Sequence, residues 1–130
     1  MTDRVVVDAS ALAALAFNEP AGGEVARRLE GAIVFAPALL RFELANVAWK
    51  KTRRASEMET RKVVTALATV LEPRWGINWQ AIDAVDTVLV AQATGLSVYD
   101  ASYVWLAGSL GADLVTLDER LAHLVDALVV

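Results

Sequence analysis

Three consecutive β-branched residues, Val5-Val6-Val7, open the chain, and an apolar run of that kind suits a strand buried on both faces of a parallel sheet. The run stops at Asp8, and an Ala/Leu-rich helical segment follows over 9–17. Asn18-Glu19-Pro20 breaks it, and Pro20 suits the first turn of a second helix that reaches Leu29 and ends at Gly31. Ile33-Val34-Phe35 predicts a second strand, closed by Pro37. Helices are expected over 38–54 and 56–71, the second opened by a Ser56/Glu59 capping box and ended by Pro73. A short strand is read at 76–79, then helices over 80–94 and 99–109, punctuated by Gly95, Gly108 and Gly111. Leu114-Val115-Thr116-Leu117 predicts a further strand that again ends on an acid, Asp118. A short helix and a terminal strand over 127–130 finish the pattern. Strands alternating with helices indicate one α/β domain over 1–130 with a mostly parallel sheet.

The 130 residues fit one domain and are enough to bury roughly two-thirds of the unfolded surface. The chain has no cysteine, which excludes disulfides, cysteine-ligated zinc and thiol catalysis. No stretch reaches about 18 uncharged apolar residues, and the short apolar opening carries no cleavage signal. The expectation is a soluble protein of the cytoplasm. Hydrophobic residues make up 56 % and the mean hydropathy is +0.44, rich for a soluble monomer. Because a small domain has more surface than core, this surplus favours an apolar surface meant for a partner. The net charge of −4 argues against indiscriminate coating of nucleic acid. Its distribution tells more: residues 41–62 carry seven basic side chains against three acidic, whereas 76–130 carry seven acids against Arg120 alone.

Four acids stand where acids need a reason. Open parallel sheets bind ligands beyond the carboxyl ends of their strands, and Asp8 and Asp118 both fall at such ends. Each has an ordinary alternative as a helix cap or turn residue. Glu43 is harder to dismiss, because Leu39, Leu40 and Val47 share its helical stripe. Asp100 likewise shares a face with Tyr103, Val104 and Ala107. A buried carboxylate without a partner costs several kcal/mol, so each demands a cation, a hydrogen-bond network or a proton. Carboxylates converging on one crevice would repel one another unless a cation neutralised them. Oxygen-only donors select hard ions such as Mg2+ or Mn2+, and such a site suits phosphodiester hydrolysis. Ser10 and Thr116, two residues after Asp8 and two before Asp118, are placed to orient a carboxylate. Asp113 precedes its strand and is expected away from the crevice. The triplet Asp-Ala-Ser recurs at 8–10 and 100–102, too short a match to indicate duplication.

These residues carry a resemblance. Val6-Val7-Asp8-Ala9-Ser10-Ala11-Leu12, Glu43-Leu44-Ala45-Asn46-Val47, Tyr99-Asp100-Ala101-Ser102-Tyr103 and Leu114-Val115-Thr116-Leu117-Asp118, in that order, resemble the PIN-domain nucleases. Within them the chain is similar to the toxin component of VapBC toxin–antitoxin pairs. The resemblance spans essentially the whole chain and implies a three-layer α/β/α sandwich around a sheet of about four to five strands. It implies an endoribonuclease that uses Mg2+ or Mn2+ held by Asp8, Glu43, Asp100 and Asp118, with Ser10 and Thr116 in support. It further implies a homodimer and a small VapB-type antitoxin that wraps the toxin and places a basic side chain at the acids. The apolar helices at 10–29 and 39–54 are candidate walls for that antitoxin's groove.

Lys50, Lys51, Arg53 and Arg54 are candidates to steer RNA phosphates, although cations also suit the end of a helix. Trp49, Trp75, Trp79 and Trp105 read as core or interface rather than base-stacking platforms, and His123 as a surface residue. Rival phosphate enzymes fail on residues: position 10 is serine rather than a second aspartate, and no lysine follows Lys62. No Gly-x-Gly-x-x-Gly or P-loop offers a nucleotide cradle. The remaining alternative is a PIN-like module without activity that binds RNA or protein.

Overall fold

Val5, Val6 and Val7 are buried and form β1 (Arg4–Val7), a central strand in the computed structural model, which describes residues 3–129. The chain continues through α1 (Ala9–Ala16), α2 (Gly22–Leu29), β2 (Ile33–Pro37), α3 (Leu40–Thr52) and α4 (Glu57–Leu71). After a 3-10 turn at Pro73–Trp75 come β3 (Asn78–Gln80), α5 (Ala84–Thr94), α6 (Val98–Leu110), β4 (Asp113–Val115) and α7 (Glu119–Val129). The four strands lie in the order β3-β2-β1-β4, and every pairing is parallel. Val6 stands opposite Phe35 on one side and Leu114 on the other.

The strand order reverses at β1. From β1 the chain steps outward to β2 and β3, then returns across the sheet to place β4 on the other side of β1. Right-handed crossovers therefore put α1–α4 on one face and α5–α6 on the other. The packing agrees: α1 lies against α2, α3 and α4, while α6 lies against α5 and against β1, β2 and β4. The carboxyl ends of β1 and β4 consequently meet at the topological switch point, the place where open α/β sheets form ligand crevices. Asp8 donates its backbone N–H to the Val115 carbonyl there, at 3.2 Å.

Some expected boundaries moved, for physical reasons. The sheet has four strands among the described residues, and the terminal strand expected at 127–130 is instead the end of α7, with Val130 outside the described residues. Buried Leu121 with half-buried Leu124 and Val125 sets a helical spacing that carries the valines along. The strand read at 76–79 is β3 at Asn78–Gln80, because Gly76 ends the 3-10 turn at φ 98°. α5 begins at Ala84, capped by Asp83, rather than at 80, and α2 begins at Gly22, beyond Pro20. Ser56 caps α4 as expected, accepting the Glu59 N–H at 3.1 Å. Among the described residues no helix is long and apolar enough to cross a membrane.

Gly22 joins the first two helices. A Cβ there would stand 2.5 Å from the Ala14 carbonyl oxygen and 3.3 Å from the Leu15 Cα, so α2 starts against bare α1 backbone. Rigid backbone gives way at a cost, and Gly22→Ala is expected to lower unfolding free energy by about 1–3 kcal/mol. Chemical denaturation reads this directly; a midpoint equal to wild type would mean that the helices separate freely.

Candidate active site

Asp8 is the residue on which β1 ends and α1 begins. Its backbone is extended, and its side chain caps the helix by accepting the Ala11 N–H at 2.9 Å. Two hydroxyls complete the shell: Ser10 Oγ donates to Asp8 Oδ1 at 2.7 Å, and Thr116 Oγ1 donates to Oδ2. Thr116 arrives from beyond β4, and its hydroxyl accepts the Asp118 N–H at 2.9 Å while Ser10 accepts the Leu117 N–H at 3.0 Å. These bonds turn residues 116–118 off the strand direction, which is why β4 stops at Val115 and not at 117. The residue is only 3 % exposed. Burial pushes its pKa above the usual value more than the three donors lower it, and the Asp118 charge adds to the rise.

Glu43 stands in the first turn of α3, half-buried. Across the crevice, the buried Tyr103 of α6 donates its hydroxyl to Glu43 Oε1. Burial raises the Glu43 pKa, the tyrosine bond opposes the rise, and the charges of Asp100 and Asp8 reinforce it. Burial and the neighbouring Glu43 hold the Tyr103 hydroxyl far above its ordinary pKa, so it remains a donor. Asp100 lies in the first turn of α6, where Ser97 rather than Asp100 is the cap. Its Oδ2 instead accepts from Arg120 Nη2 at 3.0 Å. The two Asp-Ala-Ser triplets thus occupy different local positions: Asp8 caps its helix, and Asp100 sits one turn inside.

Asp118 does serve as a cap, accepting the Arg120 and Leu121 N–H groups at 2.9 and 3.3 Å. It still lies near enough to Asp8 for its charge to be felt there. Four carboxylates from β1, α3, α6 and the start of α7 therefore share one end of the sheet. Asp113 pairs with Val5 at the opposite, amino end of its strand. His123 is exposed on α7, and Asn46 is exposed on α3.

The basic residues are not gathered at the acids. Lys50, Lys51, Arg53 and Arg54 line a cavity of about 330 Å³ at the other end of α3, about 10–16 Å from Glu43 at 1.5 Å per residue. Lys51 is engaged with Glu19 at 2.9 Å and lies over the Phe17 ring, and Arg53 lies over the Trp49 ring. Trp79 and Trp105 pack against the core, while Trp49 and Trp75 are exposed.

Residue patterning identified the acids and hydroxyls but gave no role to Tyr103 or Arg120. Tyr103 counted only as part of an apolar face, and Arg120 only as a lone positive charge. An aromatic with a hydroxyl, one turn beyond Asp100, was the available signal.

Donor chemistry at this end of the sheet suits a hard divalent cation: oxygen ligands only, and more negative charge than burial tolerates. In the present side-chain positions no group of three acidic or imidazole side chains among the described residues is gathered around one ion. Asp8 is turned to its hydroxyls, Glu43 to Tyr103 and Asp100 to Arg120.

A parallel sheet with carboxylates beyond its switch point is the kind of crevice in which α/β proteins bind their ligands. The PIN domain matches residues 5–127, and the chain belongs to the PIN-domain family. It is 35 % identical to Ribonuclease VapC3 of Pyrobaculum aerophilum, over 97 % of this chain and 98 % of that protein. It is 36 % identical to Ribonuclease VapC12 of Mycobacterium tuberculosis, covering 92 % of this chain and 90 % of that one. The crystal structure of Pyrobaculum aerophilum PAE2754 superposes with a TM-score of 0.73 at 30 % identity, covering 93 % of this chain and 84 % of that one.

Two outcomes test the electrostatics. Because the Asp8 and Glu43 pKa values are raised, the folded chain keeps protons that the unfolded chain, with ordinary values of 3.8 and 4.5, has already released. Stability therefore falls as pH rises from those ordinary values through the raised ones, and the cost persists above them. Asp8→Asn keeps a capping oxygen and removes the charge, so its thermal midpoint at pH 8 is expected to equal or exceed wild type, with the advantage fading on acidification. A midpoint several degrees lower at pH 8 would contradict this. Tyr103→Phe strips Glu43 of its donor and is expected to cost about 1–3 kcal/mol at pH 8 and less at pH 4.5; equal losses at both would show that only packing was disturbed.

Proposed function

We propose that this chain is a metal-dependent endoribonuclease of the VapC toxin type, which hydrolyses RNA phosphodiester bonds at the crevice of Asp8, Glu43, Asp100 and Asp118. Ribonucleases match it over nearly its whole length, and ribonuclease activity is its function class. The observation that carries the site assignment is Asp8: a buried carboxylate with a raised pKa, held by two hydroxyls at the switch point, with the charge of Asp118 close enough to act on it.

Asp8, Glu43, Asp100 and Asp118 would hold one or two Mg2+ or Mn2+ ions, which supply positive charge for the scissile phosphate and a more acidic water. Ser10 and Thr116 each hold one oxygen of Asp8 and so fix the orientation of its carboxylate. Tyr103 does the same for one oxygen of Glu43 and, staying protonated, leaves the other oxygen free to act. Lys50 and Arg54, neither paired with an acid among the described residues, offer phosphate contacts along α3. An inactive binding module is not favoured, since such a module has no need for two carboxylates, Asp8 and Glu43, whose ionisation burial opposes.

Surface chemistry supports the partners. Val85, Val88 and Leu89 form an exposed apolar stripe on α5 fit for a homodimer contact. Phe42, Trp49, Met58 and Val64 are exposed on α3 and α4, and a cavity of about 430 Å³ opens between the end of α1 and α4, lined by Phe17, Val63 and Ala66. A VapB-type antitoxin segment with apolar side chains suits that groove, although its walls are α1 and α4 more than α3. RNA as substrate and an antitoxin as partner support a cytoplasmic location.

Purified wild type is expected to cut end-labelled RNA internally with Mg2+ or Mn2+ and not in EDTA, and Asp100→Asn is expected to lose at least a hundredfold of that activity. Cutting retained by the variant, or in EDTA, would remove the site assignment; stepwise loss of single nucleotides would replace endonuclease by exonuclease.

A further inference from the structure

Arg120 is the only lysine or arginine in the last fifty-odd residues of an acidic half-chain. It is also bound at both ends. Its backbone N–H donates to Asp118 Oδ1 at 2.9 Å, and its guanidinium Nη2 donates to Asp100 Oδ2 at 3.0 Å. One residue thus ties together two of the four carboxylates. Among the described residues no other cation pairs with any of the four. The side chain is 61 % exposed, and that of Asp100 is 31 % exposed. The guanidinium therefore reaches in from solvent and is free to leave again.

We infer that Arg120 is a displaceable counter-cation of the carboxylate cluster. Without a divalent ion it sits on Asp100 and holds the mutually repelling acids together; a divalent ion must take Asp100 from it. The inference rests on the proposed metal site and adds a device that sets its loading. The exchange leaves the acidic cluster with a cation at every stage, and the Asp118–N–H bond keeps Arg120 tethered beside the crevice after release. An exposed ion pair is weak, so the competition tunes metal affinity and does not block it. A pair of this exposure corresponds to about a two- to fivefold effect on a competing equilibrium.

Arg120→Gln keeps the backbone N–H that Asp118 caps and removes only the charge. Mn2+ titration of metal-stripped wild type, Arg120→Gln, Asp100→Asn and the double variant, by calorimetry and by the resonance signal of free Mn2+, tests the exchange. Arg120→Gln is expected to bind Mn2+ about two- to fivefold more tightly than wild type at low salt, with the gap shrinking at 0.5 M salt. In the Asp100→Asn background the same substitution is expected to change nothing, because the contested carboxylate is gone. Unchanged or weaker binding by Arg120→Gln overturns the inference while leaving the metal site standing. Equal tightening with and without Asp100 overturns it too, since the arginine would then act only as a distant charge. No saturable Mn2+ binding by wild type removes the metal site, and the inference with it.

Discussion

Asp8 is asked to do two things that conflict. As the residue that follows a central strand it is buried, and as a carboxylate it resists burial; the fold resolves this by surrounding it with donors. The Ala11 N–H comes from the helix that Asp8 itself begins, Ser10 from the same turn, and Thr116 from the far end of the chain. Strand end, helix start and neighbouring strand are thereby fixed to one pair of oxygens. The donors lower the cost of the charge without removing it, and the residue remains harder to ionise than an aspartate in water. A site that conserves unfavourable negative charge in this way is poised for a cation.

The second constraint is the bridge between layers. Glu43 comes from the α1–α4 face and Tyr103 from the α5–α6 face, so their bond crosses the open end of the sheet. It holds the two helical layers at a set separation and defines the width of the crevice. Asp100 and Asp118, by contrast, are linked by a single exposed arginine, which makes that side the adjustable one. One wall is rigid and the other can rearrange.

Much of this was legible in the residues. Strand-then-acid at Val7-Asp8 and near Leu117-Asp118, and acids on apolar helical stripes at Glu43 and Asp100, singled out the four acids that the fold brings to one end of the sheet, because a misplaced charge contradicts the period around it. The placement of Ser10 and Thr116 around Asp8 followed from spacing of two. Tertiary partners were not legible: nothing local says that Tyr103 crosses to α3, sixty residues earlier, or that Arg120 reaches Asp100. Asp118 shows the limit from the other side, since the cap and the crevice, treated as alternatives, are both its position. The strand expected from residue 127 onward gives way to helix as far as Val129 because β-branching is a weak local preference, which helical packing of Leu121, Leu124 and Val125 overrides.

The bond between Thr116 and Asp8 joins residues 108 positions apart. A chain emerging from the ribosome presents Asp8 early, yet the hydroxyl that orients it, and Asp118 with it, are made near the end of translation. β4 must also wait for β1 on the far side of three completed crossovers, a pairing of high contact order. The crevice is therefore the last part of the molecule to exist. A chain halted before Thr116 would carry Asp8, Glu43 and Asp100 and still lack the strand and the hydroxyl that complete the shell around Asp8.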